Sequence, residues 1–234
     1  FLPLSSPSIW MLAHLDLKKT SAVGATIPGV PVIFSGKNDS LAWGSSFSFI
    51  DDQDLYFEKL NPQNNKEYLS PKGYKEFSTE KKFIKVKNNA TRSFLVKQTE
   101  NRVIIPHELY KMQSIVPQGF LISLAWTGFK KNDTTMETFL NLMSSTKIKD
   151  FKAKMPQSNS FNLIFVIADE SEVNSVFIGN APKRKKENET KGQVIALGWR
   201  PENQWNLNFK EEIHPKFLSN KGGLFLNTNN SFLE

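Results

Sequence analysis

Residues 28–60, PGVPVIFSGKNDSLAWGSSFSFIDDQDLYFEKL, leave this chain few ways to fold. Proline and glycine bracket an apolar run, 30–34, of the length of a buried strand. Gly36, Asn38 and Asp39 then carry turn chemistry: glycine frees φ, and the short polar side chains bond their own backbone. From 41 to 49 the text alternates, placing Trp43, Ser45, Phe47 and Phe49 on one face. An acidic cluster follows (Asp51, Asp52, Asp54), and 54–60 resumes as a strand. Text of this kind predicts adjacent antiparallel strands and excludes a long helix.

The rest of the chain extends that reading. Residues 9–17 and 120–126 are strand-like, and 83–86 with 91–98 around Asn88-Asn89 predict a hairpin. Residues 102–105 make a short strand, and the Lys- and Ser-rich stretch 68–79 is expected at the surface. One helix is expected at 135–145. Thr134 and Glu137 would form a capping box, and Met136, Phe139, Leu140 and Met143 would form one apolar stripe. A second short helix is expected at 147–154. Residues 162–168 (NLIFVIA) are a buried strand whose hairpin partner is 173–179, and 223–226 is a last strand. Neither an internal repeat nor a linker is visible, so 1–234 is expected as a single domain. The fold class is α+β, β-rich with few helices.

Composition removes several kinds of chemistry. The sequence has no cysteine, which excludes disulfides, thiolate zinc sites and thiol nucleophiles. The three histidines, at 14, 107 and 214, have no metal-ligand spacing. No apolar run reaches the length of a transmembrane helix. The net charge is +7, but the lysines are scattered and the KRKK run at 183–186 adjoins Glu187 and Glu189. No aromatic residues interleave with it, so it reads as a solvated loop rather than a nucleic-acid groove. No phosphate-binding glycine loop occurs.

Two places remain where chemistry could sit. Carboxylates packed at a strand end, as at 51–54, can share a hard cation. Ca²⁺ takes about six to eight oxygens, so partners from elsewhere would be needed, and a solvated acidic turn is the alternative. The second place is 227–230 (NTNN) after an apolar strand. These asparagines read as a turn, or as side-chain N–H groups that could donate to an oxyanion.

With these residues in view, the chain resembles the penicillin acylase (penicillin amidase) family. The match is an ordered set: Pro7-Ser8-Ile9-Trp10 with His14-Leu15; Gly24 to Pro31; Gly36-Lys37-Asn38 with Leu41-Ala42-Trp43-Gly44; and Asp51 to Leu55 with Glu58. Leu124-Ala125-Trp126-Thr127, Ala168-Asp169, Ala181-Pro182-Lys183-Arg184 and Gly223 with Asn229-Asn230 follow in order. The resemblance implies part of an αββα N-terminal-nucleophile hydrolase sandwich, matured into two subunits and periplasmic or secreted in a bacterium. It implies an amide hydrolase whose nucleophile is a serine at the N-terminus of the β-subunit. Carried over by position, the backbone N–H of Phe47 and the side chain of Asn229 would be oxyanion donors. Phe34, Trp126 and Leu163 would line an acyl pocket. Asp51, Asp54 and the carbonyl of Gln53 would hold a structural calcium.

The chain also departs from the family pattern. The implied serine would precede Phe1, and the α-subunit and the remainder of the β-subunit would be the partners of this piece. Glu100-Asn101-Arg102 stands where the resemblance implies His-Gly, and Phe47 stands where it implies a small residue. The expectation is therefore a piece of an acylase acting on a small-molecule amide. The alternative is a diverged, non-catalytic binding or scaffold protein.

Overall fold

A computed structural model describes residues 6, 8–17, 20–107, 109–129, 133–155, 161–205 and 217–220. Its strands are β1 (Met11–Leu17), β2 (Thr20–Thr26), β3 (Ser35–Lys37), β4 (Ala42–Phe47), β5 (Gln53–Asn61), β6 (Asn64–Ser70), β7 (Gly73–Glu76) and β8 (Ser78–Ile84). They continue with β9 (Arg92–Gln98), β10 (Val103–Ile104), β11 (Phe120–Trp126), β12 (Leu163–Ala168), β13 (Val173–Ile178), β14 (Ala196–Leu197) and β15 (Phe217–Asn220). Helices α1 (Thr135–Ser144) and α2 (Ile148–Lys154) lie between β11 and β12. The β-rich α+β class is the one expected. The chain divides into two compact units, each assembled from separate stretches of sequence. The first is Phe1–Ile50, Lys130–Ala181 and Glu211–Glu234; the second is Asp51–Phe129 and Pro182–Lys210.

In the first unit one sheet runs in the order β1-β2-β3-β4-β12-β13-β15, with every neighbouring pair antiparallel. Leu163, Phe165 and Ile167 lie two apart on β12 and so share a face. With Trp43, Val176 and Ile178 they pack against Phe139, Leu142 and Met143 of α1 and Ile148 and Phe151 of α2. This is the core of the unit, and the apolar run at 162–168 sits in it as expected.

Residues 30–34 are not a strand. Pro31 has no N–H to give a ladder, and the segment instead crosses the core as a loop. Val32 and Ile33 are buried in it, and the backbone is tied by Phe34 N–H to the Ala25 carbonyl (2.9 Å). The strand begins one residue later, at Ser35. Of the aromatic face expected for β4, only Trp43 is buried; its indole donates to the Ile33 carbonyl (3.0 Å).

Asn38 ties this region to α1. Its amide nitrogen donates to the carbonyls of Met143 (3.0 Å) and Ser145 (2.8 Å) at the end of the helix. Its oxygen accepts from the N–H groups of Ser40 (2.8 Å) and Leu41 (2.6 Å). Four bonds from one buried side chain both close the β3–β4 turn and satisfy carbonyls that a helix end leaves free.

Helix α1 has the expected place but not the expected details. Thr134 makes no side-chain cap bond. The Asp133 carboxylate accepts instead from Thr135 N–H (3.0 Å) and its hydroxyl (2.6 Å), favoured by the positive end of the helix. The buried stripe is Thr135, Thr138, Phe139, Leu142 and Met143, while Met136 and Leu140 face solvent. The helical period is right and the phase is rotated, because two threonines bury their methyl groups on the core side. Helix α2 is held by Asp169, which accepts from Ile148 N–H (3.1 Å) and from Ser171 and Glu172 in its own turn. Partial burial pushes its carboxyl up, but these bonds outweigh that and hold it at about 2.

In the second unit the sheet order is β7-β6-β5-β11-β10-β9-β8, and β14 pairs in parallel with β5. The expected hairpin is β8–β9, with Asn88 at φ 59° in its turn. The stretch 68–79 lies mostly at the surface as expected, but it forms strands, and Tyr68 and Phe77 are buried against each other, their rings 4.8 Å apart. Its surface-like composition arises because the polar residues alternate with these two aromatics on opposite faces. The strand expected at 223–226 lies outside the described residues, whereas β15 at Phe217–Asn220 carries no sequence signal strong enough to announce it.

Replacing Asn38 by Ala is expected to cost about 2–4 kcal/mol in chemical denaturation, since it removes several buried bonds at once. An unchanged midpoint would show that the turn and helix end do not depend on it. For Asp169 the folded value lies below the ordinary 3.8, so its contribution is present above that range and fades as pH falls toward 2. Asp169→Asn should lower stability at neutral pH and flatten its pH dependence between about 4 and 2.

Candidate functional site

The buried face of β5 is polar. Period two puts Asp54, Tyr56 and Glu58 on one side of the strand, and all three are buried. Each carboxylate is met by an arginine from a distant segment. Arg184 grips Asp54 with two nitrogens, Nε to Oδ2 at 3.0 Å and Nη2 to Oδ1 at 2.7 Å, a bidentate pair. Trp205 adds its indole N–H to Oδ2 at 2.5 Å, and the Tyr56 hydroxyl oxygen lies 3.4 Å from the same oxygen. Arg184 Nη2 also reaches Asp51 Oδ2 at 2.9 Å, and Asp51 is largely exposed.

Four positions along β5, Arg102 donates from Nε to Glu58 Oε1 (2.7 Å), and the Ser123 hydroxyl donates to the same oxygen (2.6 Å). Its remaining nitrogens reach Gln204 Oε1 (2.9 Å) and the Gly198 carbonyl (3.3 Å). The guanidinium lies over the Tyr56 ring, 4.4 Å from its centroid. Burial first, and then the Asp54 charge, push the Tyr56 phenol well above its ordinary range, so it stays protonated and donates to the Asn203 carbonyl (2.9 Å). Burial works against the Arg184 charge, but the bonds and charges of Asp54 and Asp51 outweigh it and raise its pKa. Asp54 also borders an open cavity of about 550 Å³, with Leu55, Ile105, Met112 and Leu124 in its wall.

The sequence-predicted residues fall as follows. Asp51, Gln53 and Asp54 lie at the start of β5, and both aspartates converge on Arg184. With both Asp54 oxygens engaged by N–H groups of Arg184 and Trp205, the set does not fit a calcium ion as arranged. Among the described residues no three carboxylate or imidazole side chains gather as a metal-binding group. Asp52 accepts from the Trp126 indole N–H (3.2 Å), and burial raises its pKa.

Phe47 ends β4, opposite Leu163 of β12. Ser48 N–H donates to the Asn162 carbonyl (3.0 Å). Antiparallel alternation therefore turns the Phe47 N–H to the other side of the strand, the side on which Ser45 N–H meets the Ser35 hydroxyl (3.1 Å). Phe34 and Leu163 belong to one apolar cluster in the first unit, where Phe34 packs edge-on against Phe139 and Trp10. Trp126 belongs to the second unit and packs edge-on against Phe129. Asn229 lies outside the described residues.

The family model for penicillin amidase matches residues 1–234. The chain belongs to the penicillin amidase family. It is 28% identical over 221 residues to the acyl-homoserine lactone acylase QuiP of Pseudomonas aeruginosa, covering 92% of itself and 26% of that protein. It is 23% identical over 210 residues to penicillin G acylase of Escherichia coli, covering 89% of itself and 23% of that protein. Its structure matches that of a thermostable penicillin G acylase from Alcaligenes faecalis with a TM-score of 0.69 at 20% identity, over 97% of this chain and 42% of the other. The fold is thus the N-terminal-nucleophile hydrolase fold expected. The chain spans about a quarter of the length of the curated relatives it matches.

Sequence reasoning missed the two arginines as partners. Alternation along β5 shows that Asp54, Tyr56 and Glu58 share a face, which was legible. That Arg102 and Arg184 meet them is long-range pairing that no local pattern records. Arg102→Ala should cost about 3–5 kcal/mol, because Glu58 would stay buried and unpaired. Denaturation of Arg102→Met combined with Glu58→Gln should recover most of that loss. A single variant as stable as the parent would show that the pair is not a buried charge pair.

Proposed function

We propose that this chain is part of an acylase that hydrolyses a linear amide, releasing a carboxylic acid and an amine. The observation that carries this reading is the family match over the full 234 residues, with relatives named as acylases. The nucleophile in this reading is the hydroxyl of a serine at the N-terminus of the β-subunit, outside these residues. Its own α-amine takes the hydroxyl proton as the oxygen attacks the amide carbon, and returns it to the departing amine. Water then releases the acid from the ester. An α-amine has a pKa of about 7.7–8.0, suited to that exchange near neutrality.

The Phe47 N–H and the Asn229 side chain stabilise the oxyanion in this reading. The outward turn of the Phe47 N–H at the end of β4 supports it, since a donor bonded within the sheet could not serve. Phe34, Trp126 and Leu163 contribute the apolar wall for the acyl group. The α-subunit and the remainder of the β-subunit complete the site, and the compartment is periplasmic or secreted. Acyl-homoserine lactones are the first substrates to test, because that is the named substrate of QuiP; penicillin is the second.

The test uses the full-length protein. Mass spectrometry should find a processed subunit beginning with serine, and the purified protein should release free amine from acyl-homoserine lactones or from an aryl-acyl amide. Asn229→Ala should lower kcat about 10²–10³-fold with a smaller change in KM. A folded, full-length protein that turns over none of these amides sinks the proposal and leaves the non-catalytic binding role.

A further inference from the structure

The acidic start of β5 is built around a cation, and the chain supplies that cation itself. We infer that the Arg184 guanidinium occupies the place a divalent metal would take between Asp51 and Asp54, so that this cluster holds its geometry without calcium. The reasons are in the bonding. Asp54 is 3% exposed and receives three donors on two oxygens: two from Arg184 and one from Trp205. A calcium ion needs oxygens that point at it with free lone pairs, about six to eight of them. Here the Asp54 oxygens face N–H groups. Arg184 Nη2 is shared between Asp54 Oδ1 (2.7 Å) and Asp51 Oδ2 (2.9 Å), which is where a bridging ion would stand. A divalent ion placed there would press on a buried guanidinium of like charge.

The backbone around the pair is shaped for the arginine. Gly192 has φ +80°, and a Cβ at that position would collide with both Arg184 Nη2 and Asp54 Oδ1. The loop after Arg184 thus comes back over the ion pair at the one residue type that can approach so closely. The indole of Trp205 closes the other side. Arg184 cannot withdraw without leaving the buried Asp54 carboxylate without its countercharge.

The experiment compares the full-length protein before and after chelation, with metal analysis of both. The expected result is a thermal midpoint that chelation leaves unchanged. Arg184→Gln should lower the midpoint by about 5–15 °C, and millimolar Ca²⁺ should then restore part of the loss. Arg184→Lys should lie between, since it keeps the charge and loses the bidentate grip. Gly192→Ala should also lower the midpoint, because it crowds the pair without touching its charge. Stoichiometric calcium that disappears in Asp51→Asn, or a midpoint that falls on chelation in the parent but not in Asp51→Asn, would overturn the inference. Calcium that persists in Asp51→Asn lies elsewhere in the protein and supports it. This test does not depend on turnover, so it stands or falls apart from the acylase reading.

Discussion

Two arginine–carboxylate pairs set the terms for the second unit. Asp54, Tyr56 and Glu58 are the buried face of its central strand, and a polar row of this kind cannot be left without partners. The apolar cluster beside it is small, Tyr56, Ala125 and Ala196 with Trp205 against them, so the charges are not a detail in an oily core. Buried ion pairs add little net stability compared with well-packed apolar residues, but breaking one is costly. Their effect is therefore on arrangement. Arg184 and Arg102 belong to stretches far from β5 in sequence, and each has one place where its charge is matched. Gly192 and Gly198 sit against these pairs where a Cβ would strike Arg184 or Glu58, so the loops that carry them are drawn onto the pairs.

The first unit solves a similar problem by hydrogen bonding without charge. Asn38 makes four bonds and Trp43 one, and together they fix a turn, a core-crossing loop and the end of α1. These two residues are also part of the text that carries the family resemblance. Glu58 and Arg184, likewise part of that text, are held in the buried pairs of the second unit. Four of the residues that make the family recognisable thus hold the scaffold.

Much of the fold was legible because its signals are local. Alternation gave β11 to the residue, the apolar run gave β12, and period 3.6 gave α1. What was lost had a competing cause. Pro31 and the pull of the core turned 30–34 into a loop. Thr135 and Thr138, read as polar, took the core side of α1 and pushed Met136 and Leu140 outward. Tyr68 and Phe77 were hidden among lysines and serines. The candidate site was less legible still. The acidic cluster was visible and read as a calcium site or a solvated turn; its arginine partner was not, since only the fold brings residue 184 to residue 54.

A single phase of hydrogen bonding decides what the end of β4 can offer. Had Phe47 been the residue bonded to β12, its N–H would be consumed in the ladder. Because Ser48 is bonded instead, the alternation presents Phe47 to the opposite side, beyond the last pairing with the short strand β3 at Ala42 and Trp43. A longer β3 would cover that N–H. Its shortness follows from the loop at 30–34, which keeps the chain out of the sheet until Ser35. The prolines that spoil a predicted strand thereby keep β3 from pairing with the end of β4.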